Sequence, residues 1–190
     1  MSDAPGQKRA ALVAGRSCDG CTLCCKLVPV QELDKPGGTW CQHCEPGVGC
    51  RIYADRPHGC QAFYCGWMIN SEVGPHWRPR DSRMVLNFQA EQNRTVVHVD
   101  PGRPDAWRKP PYRAALQAVA TRMAEAGGYV LVVCGGQHTM LMGQQEFPLG
   151  RVLPIDTIVY TRRPGAAGWI YDVKVNPGAG SDGADMLRMA

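Results

Sequence analysis

The stretch CDGCTLCCKL (Cys18–Leu27) carries four cysteines in ten residues, two of them adjacent. Further along, CQHCEPGVGCRIYADRPHGCQAFYC (Cys41–Cys65) adds five more, so nine of the ten cysteines fall between positions 18 and 65. The segment 16–70 is also rich in Gly and Pro and shows little hydrophobic periodicity. It has no apolar stripe from which to close a core alone. Its reading is therefore a small irregular module organised by bound metal, because metal-binding free energy can stand in for a missing core.

Outward from that module the pattern changes. RMVLNF (Arg83–Phe88) and TVVHV (Thr95–Val99) read as strands joined by the polar turn Gln89–Arg94. In PYRAALQAVATRMAEAGG, Leu116, Val119, Ala120 and Met123 follow helical spacing; Pro110 and Pro111 precede the helix and Gly127-Gly128 ends it. YVLVVCG (Tyr129–Gly135) is a buried-strand run, and TMLM (Thr139–Met142), DTIVYT (Asp156–Thr161) and WIYDVKV (Trp169–Val175) supply further strands. The order β-β-α-β-β-β-β predicts an α+β fold: a Cys-rich module, then a mainly antiparallel sheet with one principal helix. The organisation expected is a disordered leader over 1–15, the metal-binding module over 16–70, the α+β region over 71–175 and a flexible tail over 176–190.

The N-terminus has no apolar run approaching the about 7–15 residues of a signal peptide. No stretch reaches the roughly 20 apolar residues of a membrane helix. The expectation is a cytoplasmic protein that does not enter a membrane. In that compartment thiols stay reduced, and clustered ones bind metal more readily than they form disulfides.

The cysteine spacing is Cys18-x2-Cys21-x2-Cys24-Cys25, then Cys41-x2-Cys44-x5-Cys50-x9-Cys60-x4-Cys65. A C-x2-C pair can place two thiolates on one tetrahedral ion, with Zn–S of roughly 2.3 Å. Cys18/Cys21 and Cys41/Cys44 are such pairs. The triplet Cys18, Cys21, Cys24 has a second reading, as three corners of an iron–sulfur cubane with a distant cysteine on the fourth iron. The x3-Cys-Pro that usually follows such a run is absent. Cys24 and Cys25 share one mononuclear site only with strain, so Cys25 turns to a second site or bridges two ions. All-sulfur donors select zinc, iron–sulfur clusters or Cu(I). The triplet favours an iron–sulfur cluster, with Zn2+ as the alternative. His43 and His58, beside cysteines, are read as solvent-facing or outer groups. Arg56 reads either as a donor to a thiolate or carboxylate or as a surface turn residue, and Trp40, Phe63, Tyr64 and Trp67 either as an apolar shell around the site or, more simply, as packing in a small core.

The run CDGCTLCC, followed by WCQHC and GCRIYADRPHGCQAFYCGW and then a β-rich region, resembles the CxxCxxCC family of zinc- or iron-chelating proteins. These are cysteine-cluster proteins, mostly bacterial. The resemblance covers residues 16–70 well and the remainder loosely. It implies Cys18, Cys21, Cys24, Cys25, Cys50, Cys60 and Cys65 as metal ligands. Some larger relatives resemble flagellin lysine methylases, which raises a redox or protein-modifying enzyme as the alternative function. This chain shows no methyl-donor site. The leading expectation is a structural or carrier protein whose β-rich region docks a protein partner.

Charge argues against nucleic acid. Residues 16–70 carry five Lys/Arg and five Asp/Glu, whereas 71–175 carry thirteen and nine. Thiolates around metal turn the first region anionic, and an anionic surface repels phosphate backbones. For catalysis, Cys134 in YVLVVCGGQH is the one cysteine outside the cluster, with His138 four residues on. A cysteine ending a buried strand is more simply a small core residue. GGQH lacks the spacing of a phosphate-binding loop.

Overall fold

The computed structural model describes residues 11–166 and 168–179. The N-terminal ten residues of the expected leader and the last eleven of the expected tail lie outside them. Within the Cys-rich segment the elements are short: α1 (Leu23–Leu27), the two-residue strands β1 (Cys44–Glu45) and β2 (Gly49–Cys50), α2 (His58–Ala62) and α3 (Gly66–Ile69). One more turn, α4 (Pro79–Ser82), leads into β3 (Met84–Gln89) and β4 (Arg94–Val99). The principal helix α5 (Tyr112–Glu125) follows, then β5 (Tyr129–Cys134), β6 (Gln137–Met142), β7 (Gln145–Arg151), β8 (Thr157–Gly165) and β9 (Gly168–Asn176).

Strands β3 to β7 form one sheet in sequence order, and β8–β9 form a separate hairpin. Every neighbouring pair in these two sheets is antiparallel except β4–β5. A parallel pair needs a crossover, and α5 supplies it. The fold is α+β with a mainly antiparallel sheet, as the strand patterning predicts. The end of α5 shows why the Gly127-Gly128 signal works. Gly128 N–H donates to Met123 O at 2.7 Å and Gly127 N–H to Ala124 O at 3.2 Å, the two bonds of a Schellman motif. Gly127 has φ +72°, a conformation that costs a side-chain-bearing residue more.

The strand β7 escapes the sequence reading. Its sequence QEFPLGR contains Pro148 and Gly150, both depleted in strands. It survives because it is an edge: proline there removes no ladder bond the sheet needs, and the register shifts between His138 and Thr139 to accommodate it.

Alternation on the sheet builds two cores. Val97, Val99, Val130, Val132 and Leu141 face α5 through Leu116 and Ala120, and the same cluster takes in Leu23, Leu27, Trp67 and Met68 of the Cys-rich segment. Val96, Leu131, Met140 and Met142 face the other way, where Tyr171 of β9 covers them. The Cys-rich segment thus borrows the apolar face of the sheet. At the join, a Cβ on Gly66 would lie 2.8 Å from the Phe88 ring and 2.9 Å from Leu86 Cβ, so α3 seats on β3 only with glycine there. The segment before Cys18 is tied to the same join: Val13 N–H donates to Met68 O at 2.9 Å.

Candidate metal centre

Helix α1 explains the adjacent cysteines. Leu23 and Leu27, four residues apart, are both buried and fix its rotation against the sheet. Successive residues on a helix turn by about 100°. Cys24 and Cys25 therefore face different surroundings, although Cys24 stays near enough to raise the Cys25 pKa.

Cys24 joins Cys18, Cys21 and Cys65 in the lining of one small cavity of about 30 Å3, with Phe63, Tyr64 and Pro79 as its other walls. The turn Cys18–Cys21 is closed by a bond from Cys21 N–H to Cys18 O at 2.8 Å. Cys65 enters from 41 residues beyond Cys24 in sequence, held at the start of α3, where Met68 N–H donates to its carbonyl at 2.8 Å. Of the four aromatic residues expected as an apolar shell, Phe63 and Tyr64 line this cavity. Trp67 is buried beside it in the core, whereas Trp40 is 38% exposed, with the Lys26 ammonium 5.6 Å from its ring centroid.

Cys25 faces the other group. Cys44 lies near enough to act on its pKa, and it on that of Cys44. Cys44 and Cys50 oppose each other in the β1–β2 hairpin, and Cys41 N–H donates to Cys25 O at 3.0 Å. Burial raises the Cys60 pKa, and the neighbouring Cys25, Cys41, Glu32 and Cys50 add to the shift. The nine expected ligands thus fall into two adjoining groups, Cys18/Cys21/Cys24/Cys65 and Cys25/Cys41/Cys44/Cys50/Cys60.

Sequence reading missed Lys35, which sits beside the second group. It is 8% exposed, and its ammonium donates to the carbonyls of Val28 (2.6 Å), Pro36 (2.9 Å) and Lys26 (3.2 Å). Burial lowers its pKa, and the thiols of Cys41, Cys25, Cys60 and Cys24 oppose that shift. A fixed cation there favours thiolate over thiol. Arg56 plays a similar part for Cys18, whose pKa is raised first by burial and then by Cys21, while the Arg56 charge lowers it. The Arg56 guanidinium stacks 3.6 Å from the Tyr53 ring centroid, and its Nε is buried without a hydrogen-bond partner.

Chemically, four thiols around one enclosed space fit a thiophilic group. They are not preassembled: among the described residues, no three Cys, His, Asp or Glu side chains stand in a metal-coordinating arrangement. His58 is exposed and His43 lies 3.3 Å from the Gln42 amide nitrogen. Several of the thiols are also held toward the protonated form. Burial pushes Cys65 up to about 11 and Cys44 up to about 12, and raises Cys60; hydrogen bonding to Cys24, then burial, raises Cys25. A metal must displace those protons on binding.

The Cys134–His138 pair does not form. Cys134 opposes Gln137 and Val133 opposes His138, so the pleat sends Cys134 and His138 to opposite faces of the sheet. Cys134 packs against the α5-side core, and burial raises its pKa.

His98 is a second residue the sequence did not single out. It lies in register with Val133, and through it with His138. Its Nε2 is sealed from solvent without a partner, and burial, then His138, lower its pKa to about 4. A depressed histidine pKa means the unfolded chain takes up the proton first. Stability from this site is complete above the unfolded value of about 6.5 and is lost as pH falls through about 4. His98→Phe should therefore flatten the acid limb between those values, by at most on the order of 3 kcal/mol. Urea midpoints measured across that range for both proteins check this; parallel acid limbs would refute it.

No helix among the described residues is long and apolar enough to cross a membrane. Comparison of the chain with protein-family models, with curated proteins and with solved structures finds no match.

Proposed function

We propose that this is a metal-binding protein whose cysteine cluster holds an iron–sulfur cluster through Cys18, Cys21, Cys24 and Cys65, in a structural or carrier role. The observation that carries the reading is the arrival of Cys65 at the cavity lined by the Cys18/Cys21/Cys24 triplet. Three closely spaced cysteines plus one distant cysteine is the ligand pattern of a cubane. Bound there, the group would tie α1 to the start of α3 and supply either a cross-link or one-electron chemistry. The chain's own residues support it: Phe63 and Tyr64 limit water, and Arg56 offsets thiolate charge at Cys18. A protein partner would meet the β-rich region at Val159 and Ile170, which are exposed on the β8–β9 hairpin face turned away from Tyr171.

A zinc reading is favoured by one observation of its own. A cavity of about 30 Å3 has room for a single ion-sized guest. The hairpin pair Cys44 and Cys50, with Cys41 and Cys25 alongside, offers a further four-thiol set.

Single serine substitutions test the assignment. Cys18→Ser, Cys21→Ser, Cys24→Ser and Cys65→Ser should each remove more than half of the iron, and Cys134→Ser none. Metal analysis alongside circular dichroism separates ligand loss from unfolding. Full iron retention by Cys65→Ser, or equal loss from Cys134→Ser, would sink the assignment.

A further inference from the structure

A second cavity lies away from the cysteines. It is an open cleft of about 660 Å3 lined by Arg83, Gly102, Arg103, Asp105, Lys109 and Tyr112 among others. It sits where β4 ends and the chain turns toward α5, beside the one parallel pair in the main sheet. The carboxyl ends of strands joined by such crossovers are where sheets leave room for ligands.

Three cations line the cleft, Arg83, Arg103 and Lys109, and the first of them is anchored behind it. Asp100 is fully buried and accepts from Lys26 at 2.7 Å, from Gly102 N–H at 3.0 Å and from Arg83. One carboxylate thus faces two cations. Arg83 also holds a left-handed backbone, φ +61°, unusual for a side-chain-bearing residue. Two bonds enforce it: Arg83 N–H donates to Pro79 O, and Asp100 N–H to Arg83 O. Arg103 and Lys109 are exposed on the rim and, among the described residues, have no carboxylate within ion-pairing distance. Two acids also line the cleft. Asp81 is also 3.7 Å from Arg80, and Asp105 is the other acid facing Arg103 and Lys109.

We propose that this cleft binds a small molecule bearing an oxyanion, gripped by Arg83, Arg103 and Lys109, with Asp100 as the positioning residue that aims Arg83. The proposal does not depend on the metal reading. The test titrates the 15N-labelled full chain with inorganic phosphate and, separately, with acetate, at constant ionic strength. Saturable shifts at Gly102, Arg103 and Lys109 amides are expected with at least one of the two, and the better one identifies a phosphate or a carboxylate. Arg103→Ala/Lys109→Ala, both exposed positions, should weaken that binding at least tenfold. Arg163→Ala/Lys174→Ala, on the distant β8–β9 hairpin, should leave it unchanged. No saturable shift with either ion, or equal weakening by the two double variants, would overturn the proposal.

Discussion

Metal removal under reducing conditions is expected to open residues 16–70 to protease while the sheet from β3 to β7 stays protected longer. The elements of that segment cannot persist on their own. Its longest helices have five residues and its strands two. Isolated helices shorter than about 12–15 residues are marginal in water. What remains is the apolar attachment of Leu23, Leu27, Trp67 and Met68 to the sheet. Structural metal sites supply roughly 10–16 kcal/mol of apparent binding free energy, which becomes folding free energy. Cleavage by trypsin at Lys26 and Arg51 should accelerate by on the order of a hundredfold or more after chelation, since each 1.4 kcal/mol lost is about tenfold in the open population. Unchanged protection of 16–70 after verified metal removal would defeat the account of how this segment folds.

The second large effect is expected at Asp100. Its carboxylate is fully buried and joins three parts of the chain: Lys26 at the end of the cysteine run, Arg83 before β3, and Gly102 after β4. Burial opposes its ionisation, yet the hydrogen bonds from Lys26, Gly102 and Arg83 hold its pKa below the ordinary carboxylate value. Asp100→Ala would leave Lys26, itself only 19% exposed, without its partner. Breaking a buried pair from one side costs about 3–5 kcal/mol. Because the folded pKa is depressed, the contribution is present above the unfolded pKa and fades as pH falls through the folded one. Urea denaturation at neutral pH should show that loss, and Lys26→Met in the Asp100→Ala background should restore part of it. A loss under 1 kcal/mol would mean that the ion pair does not hold the two regions together.

The sheet was largely legible in the sequence because its signals are local. β3, β4 and β5 are runs of branched and aromatic residues, and α5 carries its apolar residues at helical spacing between a proline pair and a glycine pair. β7 was not legible, because an edge strand tolerates Pro148 and Gly150 and so need not look like a strand. The cysteines stood out in the sequence by number and spacing, but their division into two groups did not. That division depends on the rotation of α1, set by Leu23 and Leu27 against the sheet, and on α3 carrying Cys65 to Cys18. Spacing suggested pairing Cys41 with Cys44, and the hairpin adds Cys50 opposite Cys44. Lys35, His98 and Asp100 gave no signal because their importance is burial beside distant residues, which no short window contains.

We propose that the cysteine cluster holds a metal. Anaerobic purification followed by absorbance, iron and zinc analysis and acid-labile sulfide measures it directly. The account predicts a brown protein absorbing broadly at about 400 nm, with about four iron and four sulfide per chain. Stoichiometric zinc without sulfide would transfer the Cys18/Cys21/Cys24/Cys65 set to the zinc reading. A colourless, folded protein with no bound metal and all its thiols free would contradict the claim.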